Sequence, residues 1–412
     1  MDDAPGWIQS LRYRVLSAAF HQPRLLRLLA TMLRNSKKRS STVGMVANVD
    51  AVREVLARES GFSRAHYPPV MIDGEFLIGQ AGGPKHADKR GCLHGLLPTP
   101  QEVARVTVQV VQELNGSLQK HLLGGGSFDL IEDYMAPLVW QSIRLAYGAA
   151  AFVGPLEREL ILAARWVGAQ LMIGSVAPPD VRQRALRSAA VLDGAFERKL
   201  TALGPAWEQC TPNRLERRRD AIGLMWVGHP ATTQAGALIM QELLSRRKEY
   251  DRLRAQINSK GGADYIGTAH VREKLRDEVL ELLRFRPPFP LLGREALREA
   301  SLARDAQGSV AVVRSGGVAA LTIGALFDPD AQREDPTAYL PGRHFHRLDD
   351  RYLMFGTAPR DCIARDQVIE ILVSALGGLL ALGDGRQRLR GPRFKRARVY
   401  DGPVIIAMPL RF

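Results

Sequence analysis

The chain has 412 residues, 46% of them hydrophobic and 24% charged, a globular composition with enough length to bury a large core. Lys and Arg outnumber Asp and Glu by 57 to 43, and the resulting formal charge of +14 favours acidic partners (nucleic acid, an anionic membrane face or an acidic protein) without choosing among them. Three cysteines, Cys92, Cys210 and Cys362, with no CxxC pair, exclude a disulfide scaffold and a four-cysteine zinc site. They fit a reducing compartment. The N-terminus, MDDAPGWIQS, lacks a basic-then-apolar signal pattern, and no apolar run reaches the roughly 18 residues that a membrane span needs. A cytoplasmic protein is expected.

Residues 1–40 form a basic amphipathic segment, mixing Leu, Phe and Met with Arg12, Arg14, Arg24, Arg27, Arg34 and the run Lys37-Lys38-Arg39. Its apolar stripe either packs on the body of the protein or makes a weak contact with a membrane surface, and Pro23 interrupts it. Residues 42–46 are extended. Asp50 can cap a helix in which Val52, Val55 and Leu56 follow at helical spacing. Residues 64–85 are rich in Gly and Pro and read as loop. From His86 onward the pattern is mostly helical, broken at Gly124-Gly125-Gly126 and Pro178-Pro179. A long helix is predicted from about Arg219 to Glu249, and another from about Val271 to Arg286, stopped by Pro287-Pro288. Ser309 to Thr322 clusters Val and Ala with Gly as short strands do. A helix resumes near Ala364 and is expected to end at Gly377-Gly378. Val399 to Met408 reads as a hairpin around Asp401-Gly402. No repeat or linker divides residues 41–412, which are expected to form one large domain, mainly α with a minor β-sheet.

The most informative segment is Phe355-Gly356-Thr357-Ala358-Pro359-Arg360-Asp361-Cys362-Ile363-Ala364, which runs into a helix. A thiolate just before a helix N-terminus is stabilised by the dipole and by free backbone N–H groups. Small residues at 356 and 358 let the backbone approach a flat ligand, and Arg360 can pair with an anion on it. Glu281 and Arg284, three apart, share one helix face. Taken singly, the loop is compatible with a buried structural cysteine, and the Glu–Arg pair with ordinary surface chemistry.

Order and spacing together say more. Glu281-xx-Arg284, then Tyr339-Leu340-Pro341-Gly342-Arg343, then the cysteine loop resemble the signature series of the cytochrome P450 family over about residues 40–412. The resemblance implies a P450-like single helical domain and a haem b cofactor. It implies that Cys362 is the axial ligand of the haem iron, that Phe355 and Gly356 belong to the haem-facing loop, and that Glu281, Arg284 and Arg343 form a buried triad fixing that loop. It also implies that Arg360, His86, Arg90 and Arg294 are partners of the haem propionates, His86 and Arg90 being four apart on one helix face.

The sequence departs from the family pattern in two places. Ala358 and Ala364 replace two usual glycines, which is tolerable where neither backbone needs φ > 0. In the long central helix the family carries a pair of small residues, any residue, an acid and then Thr. Here Gly228 and His229 fill the small positions, Pro230 follows, Ala231 replaces the acid and Thr232 keeps the alcohol. Acid and alcohol normally relay protons, so Gly228, His229, Ala231 and Thr232 are the candidate residues on the oxygen side. His229 is either a proton donor there or a packing residue in the kink that Pro230 makes; a third option, a distal haem ligand, would block oxygen.

The implied activity is a monooxygenase-type oxidation of a lipophilic small molecule, with electrons from a separate partner, an acidic ferredoxin or flavodoxin with its reductase. Candidate pocket residues are Val70, Met71, Phe76, Leu171, Met172, Val227 and Phe289 to Leu292. The missing acid also fits a peroxide-using peroxygenase, or an oxidative coupling or rearrangement enzyme. A different class altogether, a haem-free basic binding protein on nucleic acid, has little support: aromatics are 7% and no nucleic-acid motif occurs.

Overall fold

The computed structural model describes residues 21–35, 40–41, 44–58, 61–63, 77–80, 82–147, 157–173, 179–259, 266–304, 310–383, 389–390, 399–401 and 404–411. The first helix, α1 (Pro23–Asn35), turns Leu26 and Ala30 inward, and Arg34 donates to the Gly324 carbonyl at 2.7 Å. Pro23 opens this helix instead of interrupting it, because the first helical N–H has no intrahelical partner to lose. Short strands β1 (Ser40–Ser41) and β2 (Met45–Val46) lead to α2 (Val49–Ala57). Its cap is Asn48, whose side chain accepts from the Ala51 N–H at 2.7 Å, so the cap lies two residues before the expected Asp50.

After β3 (Phe62–Ser63) come α3 (Pro84–Gly95), α4 (Pro100–Leu123), β4 (Ser127–Asp129), a π-helical segment Leu130–Met135 and α5 (Ala136–Ala146). Thr99 and Glu102 form a reciprocal capping box at the start of α4. Then follow α6 (Glu157–Ile173), α7 (Pro179–Lys199), α8 (Pro205–Cys210) and α9 (Arg214–Ile222). Cys92 of α3 and Cys210 of α8 are joined as a disulfide, a single cross-link that their separation of 118 residues did not announce.

The expected single helix over 219–249 is three pieces. A π-helical segment, Gly223–Val227, separates α9 from α10 (Gly228–Ser245), and α11 (Arg247–Asn258) begins after a break at Arg246. Pro230 supplies one cause, since it lacks an N–H and its ring crowds the carbonyl four residues back. At the second break Arg246 leaves helical geometry and stacks over Phe285 and Tyr339, 4.1 and 4.5 Å from their ring centroids.

Next are α12 (Ala269–Phe285), β5 (Leu292–Ala296), β6 (Ala300–Arg304), β7 (Val310–Val313), β8 (Gly316–Ala320) and the short α13 (Thr322–Leu326). One sheet runs β2-β8-β5-β3, a second β1-β7-β6, and β9 (Val399–Asp401) pairs with β10 (Val404–Ala407) as the expected hairpin. A last strand, β11 (Pro409–Arg411), pairs with β4. The architecture is mainly helical with small sheets.

At the centre lies α14 (Arg365–Ala381), buried almost all round and packed against α4, α10, α11 and α12. It does not stop at Gly377-Gly378. A β carbon at 377 would lie 2.9 Å from Ile266, and one at 378 would lie 2.3 Å from the Tyr134 hydroxyl, so these glycines serve close helix packing and not a helix end.

Candidate cofactor and ligand site

Seven segments converge on one cavity of about 270 Å³: residues 77–78, the N-terminal turns of α3, α6 at Gly168, the π segment with the first half of α10, the end of α12 with residues 288–289, β5, and the loop before α14 with that helix's first turn. In the loop, Gly356 has φ +84° and a β carbon there would meet the Arg360 carbonyl at 3.3 Å, so the turn requires glycine. The Cys362 N–H donates to the Phe355 carbonyl at 2.8 Å and closes the turn, three residues before α14 begins. Ala364 has φ −106°, so alanine fits where glycine was expected. Burial pushes the Cys362 thiol up, while a hydrogen bond from the Ala364 backbone N–H opposes that shift.

A buried ion-pair cluster ties α12 to residues 335–343. Arg284 grips Glu281 through two hydrogen bonds of 2.8 Å, and Arg343 reaches the same carboxylate at 3.4 Å. Glu281 also accepts the Leu340 N–H at 2.8 Å, and the guanidinium groups donate to the carbonyls of Pro336 and Asp335 at 2.8 and 2.9 Å. All three side chains are under 5% exposed, so the charges are compensated by geometry and not by water. Glu281, Arg284 and Arg343 thus share one buried ion-pair cluster.

Cys362, Phe355, Gly356, Arg360, His86, Arg90 and Arg294 all line the cavity. Arg90 also pairs with Asp361 of the loop at 2.9 Å, a partner the sequence did not indicate. Arg360 donates to the carbonyls of Leu77 and Gln80 at 3.2 and 2.6 Å, and the β5 register opposite Val318 holds Arg294 in place. The same basic side chains reach outward, where His86, Arg90, His94 and Asp361 line an open cleft of about 430 Å³ beside Pro359.

From the π segment and α10, Leu224, Val227, Gly228, Ala231, Thr232 and Ala235 line the cavity. The Thr232 hydroxyl donates to the Gly228 carbonyl at 2.9 Å. His229 is not part of this lining. Its Nε2 lies 3.0 Å from the Ala136 carbonyl of α5, and burial lowers its pKa to about 4. The ring is therefore neutral at physiological pH and is engaged away from the cavity, the packing alternative of the two readings. Among the described residues lining the cavity, the wall formed by the π segment and α10 carries no carboxylate.

Of the expected pocket residues, Val227, Phe289 and Leu292 line the cavity, whereas Leu291 packs with Ala30, Ala47 and Leu321 and Pro290 takes no part. Val70, Met71 and Phe76 lie outside the described residues, and Leu171 and Met172 lie in α6 with side chains outside them. Sequence reasoning missed Leu77, Ile78, Gly168, Leu224, Ala235, Leu283 and Met354. The helical spacing 224, 228, 231, 235 could have found two of these.

The donor set fits a flat, anionic, metal-bearing group. No cluster of three or more His, Cys, Asp or Glu among the described residues could hold a metal ion, so Cys362 would offer a metal a single protein ligand. Four basic side chains line the same cavity as the thiol, and the rest of the lining is apolar apart from Thr232 and Asp361.

No protein-family model matches the chain, and no curated protein matches it. Solved structures do. The chain is similar to the cytochrome P450 enzyme CYP109B1 from Bacillus subtilis (18% identity, 96% of this chain and 100% of that one, TM-score 0.67). It is also similar to P450BioI, in complex with an acyl carrier protein ligated to hexadec-9Z-enoic acid (15%, 95% and 99%, TM-score 0.74). A third is CYP109E1 from Bacillus megaterium in complex with testosterone (18%, 93% and 98%, TM-score 0.68). The likeness spans nearly the whole of this chain and of each of those structures: the chain has the cytochrome P450 fold.

Proposed function

We propose that the protein is a haem-thiolate oxygenase acting on a lipophilic small molecule. The observation that carries this reading is Cys362 lining one cavity together with His86, Arg90, Arg294 and Arg360, the rest of its lining being mostly apolar. Cys362 would hold the iron, and the four basic side chains would hold the propionates of haem b. Bound there, haem supplies oxygen activation, and the chain supplies orientation, water exclusion and protons. The glycines and alanines of the π segment and α10 leave room for a bulky apolar ligand. That two structural neighbours are bound to a fatty-acyl carrier and to a steroid accords with such a ligand class. The test is a reduced carbon-monoxide difference spectrum of the purified protein and of Cys362→Ser. A thiolate-type Soret band that the variant loses is the expected result. A colourless protein would overturn the reading in favour of a basic binding protein without haem.

A second reading concerns where protons and electrons come from. Ala231 stands in the acid position and His229 is neutral and turned to Ala136, so the usual side-chain relay to Thr232 is missing among the described residues. This favours chemistry that needs no acid on the α10 wall: peroxide use, oxidative coupling or rearrangement, with the proton brought by substrate or water. Turnover with hydrogen peroxide, compared with turnover on ferredoxin, reductase and NADPH, separates the two. Peroxide-only turnover rejects the electron-partner route, and reductase-dependent turnover rejects the peroxide route.

A further inference from the structure

Gly168 sits in the middle of α6, is buried and lines the cavity. A glycine inside a helix costs about 1 kcal/mol relative to alanine, so its presence needs a reason. The reason lies across the helix interface. A β carbon at 168 would lie 2.5 Å from Cγ and 2.9 Å from Cβ of Pro230, the buried proline of α10. Real β carbons are never that close to another carbon, and the proline ring has no rotamer with which to withdraw. The backbone of α6 therefore rests directly on the proline ring. Gly228 is a contrast: it too lines the cavity, yet a β carbon there meets nothing within 4 Å. The space at 228 belongs to the cavity, and the missing side chain at 168 belongs to the contact.

We infer that Gly168 and Pro230 are specificity-determining: the ring of Pro230 is a rigid spacer that sets how far α6 stands off the central helix, and hence the height of the ligand cavity. The inference rests on the proposed function only for the identity of the ligand, because the contact itself is a property of the two helices. Pro230 thus has a use beyond interrupting the helix. A β carbon at 168 cannot be absorbed locally and must lift α6, which favours bulky ligands and strips small ones of contacts. Removing the ring lets α6 settle lower and does the reverse. Moving the bulk from one helix to the other restores the original height.

The test compares three variants, Gly168→Ala, Pro230→Gly and both together, in the haem-loaded full chain. Binding of 4-phenylimidazole and of the bulkier clotrimazole is followed by the absorbance shift of each. The ratio of the two dissociation constants is expected to move about tenfold toward clotrimazole in Gly168→Ala, about tenfold toward 4-phenylimidazole in Pro230→Gly, and back to within about twofold of the parent in the double variant. A merely structural role would lower stability and leave this ratio alone. Should Gly168→Ala fail to fold, Pro230→Gly alone carries the test, and an unchanged ratio in the folded variants overturns the inference. A chain that takes up no haem overturns the functional reading instead. The same variants are then compared by uptake of naphthalene against pyrene, read by dye fluorescence, with the same directions expected and an unchanged ratio again decisive against the inference.

Discussion

His229 shows how one buried ring sets a protein's response to acid. Its pKa falls from 6.5 to about 4 because burial disfavours the imidazolium, with the Ala136 carbonyl acting weakly the other way. Between those values the unfolded chain binds a proton that the folded chain does not. Stability from this group is complete above pH 6.5 and is lost as pH falls toward 4, by roughly 3 kcal/mol in all. Asp220 works in the opposite sense. Burial raises its carboxyl to about 6, against the pull of Lys89 at 3.2 Å, so the folded chain gains stability as pH falls from 6 toward 3.8. The two slopes partly cancel in the parent protein. His229→Gln keeps an amide that can donate to Ala136 but removes the titration. Urea unfolding at pH 7 and pH 4.5 should therefore show a smaller acid loss in this variant, by about 2–3 kcal/mol. Equal losses in both proteins would mean that the ring does not titrate as its burial requires.

At the scale of elements, α12 and the loop around Arg343 are locked by one carboxylate. Arg343→Ala leaves Glu281 with Arg284 alone and removes donors from the carbonyls of Asp335 and Ala338. The expected cost is about 3–5 kcal/mol, the range for a broken buried pair. Glu281→Gln should cost a similar amount, and the double variant clearly less than the sum, since both remove the same interaction. Urea midpoints across the four proteins measure this, and additive losses would show that the residues do not act as a unit. Glu281 and Arg284 were legible as a pair because helix periodicity puts them on one face, whereas the joining of Arg343 to them was implied only by the family resemblance. Their carbonyl acceptors were not legible, because Pro336, Ala338 and Asp335 are placed by the path of a loop that no local pattern encodes. The same division runs through the rest of the chain. Pro287-Pro288 marked the end of α12 to within a residue, and Asp401-Gly402 marked the hairpin. Gly377-Gly378 misled because their role is decided by Ile266 and Tyr134, far away in sequence. Pro230 announced an irregular helix but not the π segment before it, nor that His229 would turn to α5.

For the molecule as a whole, the excess of 14 positive charges bears on how electrons would reach the cavity. Such a surface attracts an acidic carrier over distances comparable to the Debye length, about 10 Å at 0.1 M salt, and the attraction collapses as salt rises. Hydrogen peroxide is neutral and feels no such field. On the proposed function, raising salt from low to above-physiological concentration should slow turnover driven by an acidic ferredoxin by about tenfold, mostly through the association rate. Peroxide-driven turnover of the same preparation should hold within about twofold, which guards against a general effect of salt on stability. Helix α3 offers the local version of this argument, because Lys85 is exposed on it, next in sequence to His86, which lines the outer cleft. Lys85→Glu should lower the carrier-driven rate at low salt and leave the peroxide rate alone. A carrier-driven rate indifferent both to salt and to Lys85→Glu would mean that the charge lies elsewhere on the surface and that docking on this face is not electrostatic.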